Sequence, residues 1–323
     1  MTGSTRINWA ASTLDADWIA SRVGDLGDGV TSVVPSGYEA YARILHPAWS
    51  EGRTRDDDVP VRWREIAEWS GLDMTRLAQF HSIAPSPNQD PGPAPYSRGP
   101  DEGSLSEPDL HPLVGSLSRW TSTPDDCFFC VWEGWGYLGV PPEVERGPRV
   151  RLPHRDYLLY RGTVGTVQVN VAESPWRQAP NLWWPQDRTW FVGSEIDLIC
   201  SYVAGPEGLI DELLSAPVPE ALLALPNDPL DRVEPWLQAR VDAALDQLFE
   251  TNSTRITLPI GWVRADIKKV RGNRWTDLSF ASERTNRGRQ ATSESVLGGT
   301  RSYEEARRAA EHGLTGLLIE LAR

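Results

Sequence analysis

Two carboxylates, Glu195 and Asp197, stand two residues apart in a mostly apolar stretch from Thr189 to Val203. On an extended strand this spacing puts their Cα atoms roughly 6.6 Å apart on one face. At that separation one carboxylate can serve as acid and the other as base, or the two can hold a divalent ion. An ion pair with an arginine such as Arg155 or Arg188 is the alternative without chemistry. Cys127-Phe-Phe-Cys130 has the spacing of a redox pair or of half a zinc site. The third cysteine, Cys200, has no histidine within ten residues, and side chains at i and i+3 of a strand point to opposite faces. The cysteines therefore read as buried core, and no metal site is expected.

Other motifs exclude more than they suggest. None of the five histidines, His46, His81, His111, His154 and His312, has a His or Cys partner at metal-ligand spacing. His154-Arg155-Asp156 spells the kinase catalytic triplet, but no glycine-rich phosphate loop precedes it. The only lysines in the chain are Lys268 and Lys269, so the first 250 residues can supply neither a Walker A lysine nor a Schiff-base lysine. Neither a G-x-S-x-G elbow nor an H-E-x-x-H helix occurs. The expectation is a binding or interaction protein without enzymatic activity or cofactor. A carboxylate-dependent hydrolase at Glu195 and Asp197 is the catalytic alternative.

Seven of the 15 tryptophans lie between Trp120 and Trp190. Trp132 and Trp190 fit a core, where a large ring contributes most. Trp183 and Trp184, between Pro180 and Pro185, cannot both point inward from an extended segment. One of them is expected to be a surface anchor. Trp183, Trp184, Glu195 and Asp197 are thus the candidate contacts for a protein partner or a small ligand.

Charge divides the chain. Residues 1–250 hold 37 acidic and 19 basic side chains, a net of −18, whereas residues 251–323 hold 8 and 13, a net of +5. Lys268, Lys269, Arg271, Arg274, Arg284, Arg287 and Arg289 cluster at an expected hairpin tip and the loop after it, with Trp275 among them. A two-stranded ribbon fits the major groove of DNA, and cations near its tip neutralise phosphates. Nucleic-acid binding through residues 264–289 is the alternative function. Docking of the same basic face on the acidic module is the competing explanation.

The elements that would position these residues follow from periodicity. Helices are expected at Asp15 to Val23, Arg62 to Trp69, Leu110 to Trp120, Pro206 to Leu214 and Trp236 to Glu250. Strands are expected at Val30 to Leu45, where Tyr38, Ala40, Ala42 and Ile44 alternate with polar positions, and at Cys127 to Trp132, Tyr157 to Arg161, Thr163 to Val171 and Thr189 to Val203. Eight prolines between Pro85 and Pro112 argue for a long loop. After a boundary near Thr251 to Thr254, strands are expected at Ile256 to Asp266, Ile267 to Phe280 and Gln290 to Leu297. A Gly272-Asn273 turn would join the arms of a hairpin, and a helix capped by Ser302 would follow. The fold class is α+β: a largely antiparallel sheet with flanking helices in residues 1–250, and a small basic βββα module in residues 254–323. No apolar run is long enough to cross a membrane, the first ten residues lack a signal-peptide apolar region, and three cysteines do not make a disulfide framework. A cytoplasmic protein without membrane contact is expected.

The stretches from Asp126 to Gly136 and from Asn181 to Gly205 resemble a family from high-GC Gram-positive bacteria to which no function is assigned. That resemblance spans about residues 30–215 and implies no activity. The C-terminal tail resembles, in its strand-strand-strand-helix order, the arm-type DNA-binding domains of tyrosine recombinases. Gly298 to Ala310 is similar to the last helix of double-stranded RNA-binding domains, which has lysines where this chain has Glu304 and Glu305.

Overall fold

The computed structural model describes residues 7–25, 29–54, 57–83, 92–136, 138–153, 155–172, 178–230, 235–258, 261–270, 274–284, 294–295, 302–303, 306–307, 310 and 314. The chain divides into two compact units. The first comprises residues 1–66, 74–77 and 94–230, and the second residues 67–73, 78–93 and 231–323.

A nine-stranded sheet organises the first unit. Its order is Asn8–Trp9, Asp156–Gly162, Cys127–Trp132, Leu182–Pro185, Phe191–Gly193, Cys200–Gly205, Ala40–Leu45 and Ala221–Ala224, with Val150–Arg151 pairing beside Asp156–Gly162. All of its pairings are antiparallel. Both faces are covered. On one, Phe129, Val131, Trp183, Val192 and Ile44 meet Leu110, Leu113 and Leu117 of the helix Glu107–Arg119 and Leu209, Ile210 and Leu213 of the helix Glu207–Ser215. On the other, Phe128, Cys130, Trp184, Phe191 and Tyr202 meet Ala16, Ile19, Val30, Val33 and Val34. A strand buried on both sides needs no polar alternation, which is why Cys-Phe-Phe-Cys-Val-Trp and Leu-Trp-Trp-Pro are unbroken apolar runs.

Several expectations are corrected. Thr163 to Val171 is not a strand; Val164–Gln168 forms a 3-10 helix. Thr189 to Val203 is not one strand but two, Phe191–Gly193 and Cys200–Gly205, folded back on each other with Val192 opposite Val203. Period-two patterning survives such a reversal, because each arm keeps its own alternation. The proline-rich segment ends sooner than expected: the helix starts at Glu107, with Pro108 in its first turn and Pro112 inside. A proline near a helix start removes an N–H that has little to bond. The carboxylate of Glu220 caps the helix Trp63–Ser70, accepting from the N–H of Trp63 at 2.7 Å and of Arg64 at 3.0 Å.

The second unit places the helix Pro235–Thr251 before the antiparallel strands Ser253–Leu258, Gly261–Val270, Arg274–Arg284 and Glu294–Ser295. Helical residues Tyr303, Ala306, Arg307, Ala310 and Leu314 follow. Val241, Leu245 and Leu248 of the first helix and Ala306, Ala310 and Leu314 of the last pack on Ile256, Val263, Ala265, Ile267, Trp275, Leu278 and Phe280. The helix at 235–251, expected in the large module, thus completes the core of the C-terminal one. Residues 256–266 are not one strand either, since Leu258 lies opposite Gly261 across a reversal. The Gly272-Asn273 turn lies outside the described residues; Val270 pairs with Arg274 across it.

An irregularity in the long hairpin decides which residues face the core. Asp266 lies opposite Ser279 but Lys268 lies opposite Thr276, so Asp277 and Leu278 together face Ile267. Asp277 takes a φ of +53°, the left-handed geometry of a bulge residue. The extra residue brings Trp275 and Leu278, three apart, onto the same buried side.

Asp187 ties two loops of the first unit together. It accepts from Thr121 Oγ1 at 2.8 Å, Ser122 N–H at 2.7 Å and Ser122 Oγ at 2.8 Å. Burial works to raise its carboxyl, but these hydrogen bonds and one from Thr189 prevail and bring it to about 2. The folded value is below the unfolded one, so the stabilisation is complete above about pH 4 and is lost as pH falls towards 2. In urea titrations Ser122→Ala should cost on the order of 1 kcal/mol at neutral pH, allowing for solvent screening. That difference should shrink on acidification. At the bulge, Asp277→Gly should be neutral or raise stability by up to about 1 kcal/mol, and Asp277→Val should lower it by about 1–3 kcal/mol, read from denaturation midpoints.

Candidate functional site

The expected surface anchor of the first unit is absent. Trp183 is 1% exposed and Trp184 fully buried. They do point opposite ways, as neighbours on a strand must, but each way leads into a core. Trp183 packs edge-on to Trp190 with centroids 5.3 Å apart, and Trp184 stacks between Phe128 at 5.6 Å and Phe191 at 5.5 Å. Cys127 and Cys130 follow the same alternation into the two cores and are free thiols, as is Cys200. Burial pushes Cys127 up to about 12 and Cys130 higher, so neither is a thiolate near neutral pH.

Glu195 and Asp197 are not on a strand; they occupy the loop between Phe191–Gly193 and Cys200–Gly205. Arg155 holds both. Its Nε donates to Glu195 Oε1 at 2.9 Å and Oε2 at 3.1 Å, and its Nη2 donates to Asp197 Oδ2 at 3.0 Å. The guanidinium also lies over the Trp132 ring, 4.9 Å from its centroid. The two carboxylates and the guanidinium thus form one ion-pair cluster, the alternative to chemistry that their spacing left open.

In the second unit, helices cover one face of the sheet and the other carries polar side chains. Arg255, Thr257, Arg264 and Lys268 are exposed there and Trp262 is half-buried. Arg255 and Arg264 are directly opposite on adjacent strands. The Arg255 guanidinium lies 4.4 Å above the Trp262 ring, and Arg264 pairs with Asp266 at 2.8 Å. The expected tip cluster is only partly assembled. Lys268 and Lys269 are exposed near the hairpin end. Arg274 and Arg284 sit at opposite ends of one strand, facing Val270 and Gly261 respectively, roughly 33 Å apart by strand rise. Arg271, Arg287 and Arg289 lie outside the described residues. Trp275 is a core residue, 2% exposed, packed on Phe249 and Tyr303 and covered by the Lys269 ammonium at 5.3 Å.

One constellation has no signal in the sequence. A shallow cleft with enclosed room for about one water is lined by apolar Val33, Leu152 and Leu182 and by Arg155, Tyr157 and Ser194, on the sheet face opposite to the one the Ser194 hydroxyl takes. The Ser194 hydroxyl is 2.5 Å from that of Ser201, which is 2.9 Å from His46 Nε2; His46 Nδ1 is 2.7 Å from the Asp101 carbonyl oxygen. Ser194, Ser201 and His46 are all at most 3% exposed. Burial lowers His46 below its ordinary value, against the opposing effects of the Asp101 carbonyl and the Asp109 and Asp101 charges. Asn181 fixes the end of this row. Its amide donates to the Ser194 carbonyl at 3.2 Å, its side-chain oxygen accepts from Trp132 N–H at 2.9 Å, and its own carbonyl accepts from Ser194 N–H at 2.7 Å. Only the chain reversal after Gly193 brings Ser194 against Ser201.

Among the described residues no group of three or more His, Cys, Asp or Glu is placed to hold a metal ion, and no helix is long and apolar enough to cross a membrane. Comparison of the chain with models of known families, with curated proteins and with solved structures finds no match.

Asn181 is buried and bonds three ways, so its removal leaves the Trp132 N–H and the Ser194 carbonyl without their partner. Each buried group left unpaired costs about 1–3 kcal/mol. Asn181→Ala should therefore lower the unfolding free energy by about 2–4 kcal/mol in urea titrations; a loss under about 1 kcal/mol would show that water replaces the amide.

Proposed function

We propose that the outward face of the second unit's sheet binds the phosphate backbone of nucleic acid, in the cytoplasm. The observation that carries this reading is the placement of Arg255 directly opposite Arg264. Like charges facing each other across strands destabilise a free sheet, and an anion lying between them reverses the sign of that contribution. Lys268 adds a cation further along the same strand as Arg264, beyond the Asp266 that pairs with Arg264. Trp262, with Arg255 stacked on it, adds a flat apolar surface of the kind on which bases rest. The local charge agrees, since residues 251–323 carry 13 basic and 8 acidic side chains in a chain whose net charge is −13. Free cysteines fit a reducing compartment. The contacts differ from those expected at the hairpin tip: Arg255 and Arg264 take the principal part, and Trp275 takes none.

Fluorescence anisotropy of the full-length protein with labelled single-stranded and duplex DNA and RNA tests the reading. Affinity should fall linearly with salt on logarithmic axes. Arg255→Gln with Arg264→Gln should make the slope shallower by about 2, close to 0.9 for each phosphate no longer neutralised. The same double variant should melt close to the wild-type temperature, because relief of the like-charge pair offsets loss of the exposed Arg264–Asp266 ion pair and the Arg255–Trp262 stack. No binding at low ionic strength, or a slope unaffected by the double substitution, would refute the proposal.

A further inference from the structure

Arg255 is held by a ring where other guanidiniums are held by charge. In the first unit the arginines lying over Trp49, Phe128 and Trp132 each pair with a carboxylate as well: Arg98 with Asp58, Arg161 with Asp126 and Arg155 with Glu195. Arg264 likewise pairs with Asp266. Arg255 rests on Trp262 at 4.4 Å, and among the described residues no carboxylate pairs with it. It is exposed while Trp262 is half-buried, so the ring backs one side of the guanidinium and the other side meets solvent. A planar cation backed in this way offers a flat, weakly hydrated surface, of the kind on which an unpaired base stacks.

We propose that the nucleic acid bound by this face is single-stranded, with one base stacked on the Arg255 guanidinium and an adjoining phosphate at Arg264 or Lys268. This rests on the nucleic-acid reading of the same face and adds the form of the ligand. Inside a duplex both faces of a base are covered by the neighbouring pairs, so a stacking platform has nothing to receive. Groove entry is also poorly served. Arg255, Trp262 and Arg264 lie on the body of the sheet, at the end of the long hairpin away from its turn between Val270 and Arg274. At about 4.8 Å per strand, the outer strands of the four-stranded sheet are roughly 14 Å apart. A major groove about 12 Å wide admits a two-stranded ribbon but not that face. A single strand can lie across it, with its phosphates on the cations and a base turned onto the guanidinium. Arg255 then acts twice: its charge counts in the salt dependence, and its plane carries the stack.

Fluorescence anisotropy of the full-length protein separates these roles with three labelled ligands of equal length, each in DNA and RNA versions. One is a purine-rich strand that cannot pair with itself, the second is that strand annealed to its complement, and the third is an abasic strand that keeps the phosphates and lacks the bases. The base-bearing strand should bind about 5- to 150-fold tighter than the abasic strand, the worth of one stacked base, and tighter than the duplex. Arg255→Lys keeps the charge and removes the plane. It should abolish that advantage while leaving abasic binding and the salt slope unchanged. Trp262→Leu, which keeps apolar bulk on the sheet, should act in the same way, with melting temperatures showing that both variants fold. Equal affinity for base-bearing and abasic strands, or a duplex held as tightly as the single strand, would overturn the single-strand proposal. The phosphate-backbone reading would still stand if the slope responded to Arg255→Gln with Arg264→Gln. Binding of none of the three ligands at low salt would overturn both.

Discussion

Burial of the nine-stranded sheet on both faces is the constraint from which the rest of the first unit follows. Alternate residues of Cys127–Trp132 and Leu182–Pro185 enter different cores, so every position on these strands must be apolar. That removes both members of the Trp183-Trp184 pair from the surface and separates the two thiols of the C-x-x-C pattern. It also confines polar chemistry to strand ends. The Arg155, Glu195 and Asp197 cluster and the Ser194 row both lie where the strands at 191–193 and 200–205 reverse.

The second unit obeys the opposite rule. Its helices cover one side of the sheet, and the strands alternate apolar and polar. The outward side carries Arg255 opposite Arg264, the first stacked on Trp262 and the second paired with Asp266, a like-charged register that burial does not impose. The bulge at Asp277 preserves this division along the long hairpin: Trp275, Leu278 and Phe280 stay inside, and Thr276 and Ser279 are less buried.

Legibility in the sequence varied with the range of the information needed. Helices such as Trp63–Ser70 and Glu207–Ser215 could be read from local spacing, as could the apolar strand Cys127–Trp132 and the α+β class. Reversals inside patterned stretches could not. The turns after Gly193 and after Leu258 preserve period-two alternation, so each pair of strands looked like one strand. Those two turns also create the principal polar arrangements: the first brings Ser194 to Ser201, and the second sets Arg255 against Arg264. Whether a second face is covered is likewise non-local, which is why an exposed tryptophan was expected at Trp183 or Trp184. His46 and Ser201, 155 positions apart, have no spacing by which a reader could join them.

The central claim is that the outward sheet face of the second unit is where nucleic acid lies. Arginine footprinting addresses it without altering the protein: phenylglyoxal modification, quantified by peptide mass spectrometry with and without a saturating oligonucleotide. The account predicts that Arg255 and Arg264 are shielded by the oligonucleotide while Arg151 in the first unit, whose side chain is 82% exposed, reacts equally in both samples. Shielding of other arginines with Arg255 and Arg264 still reactive would contradict it.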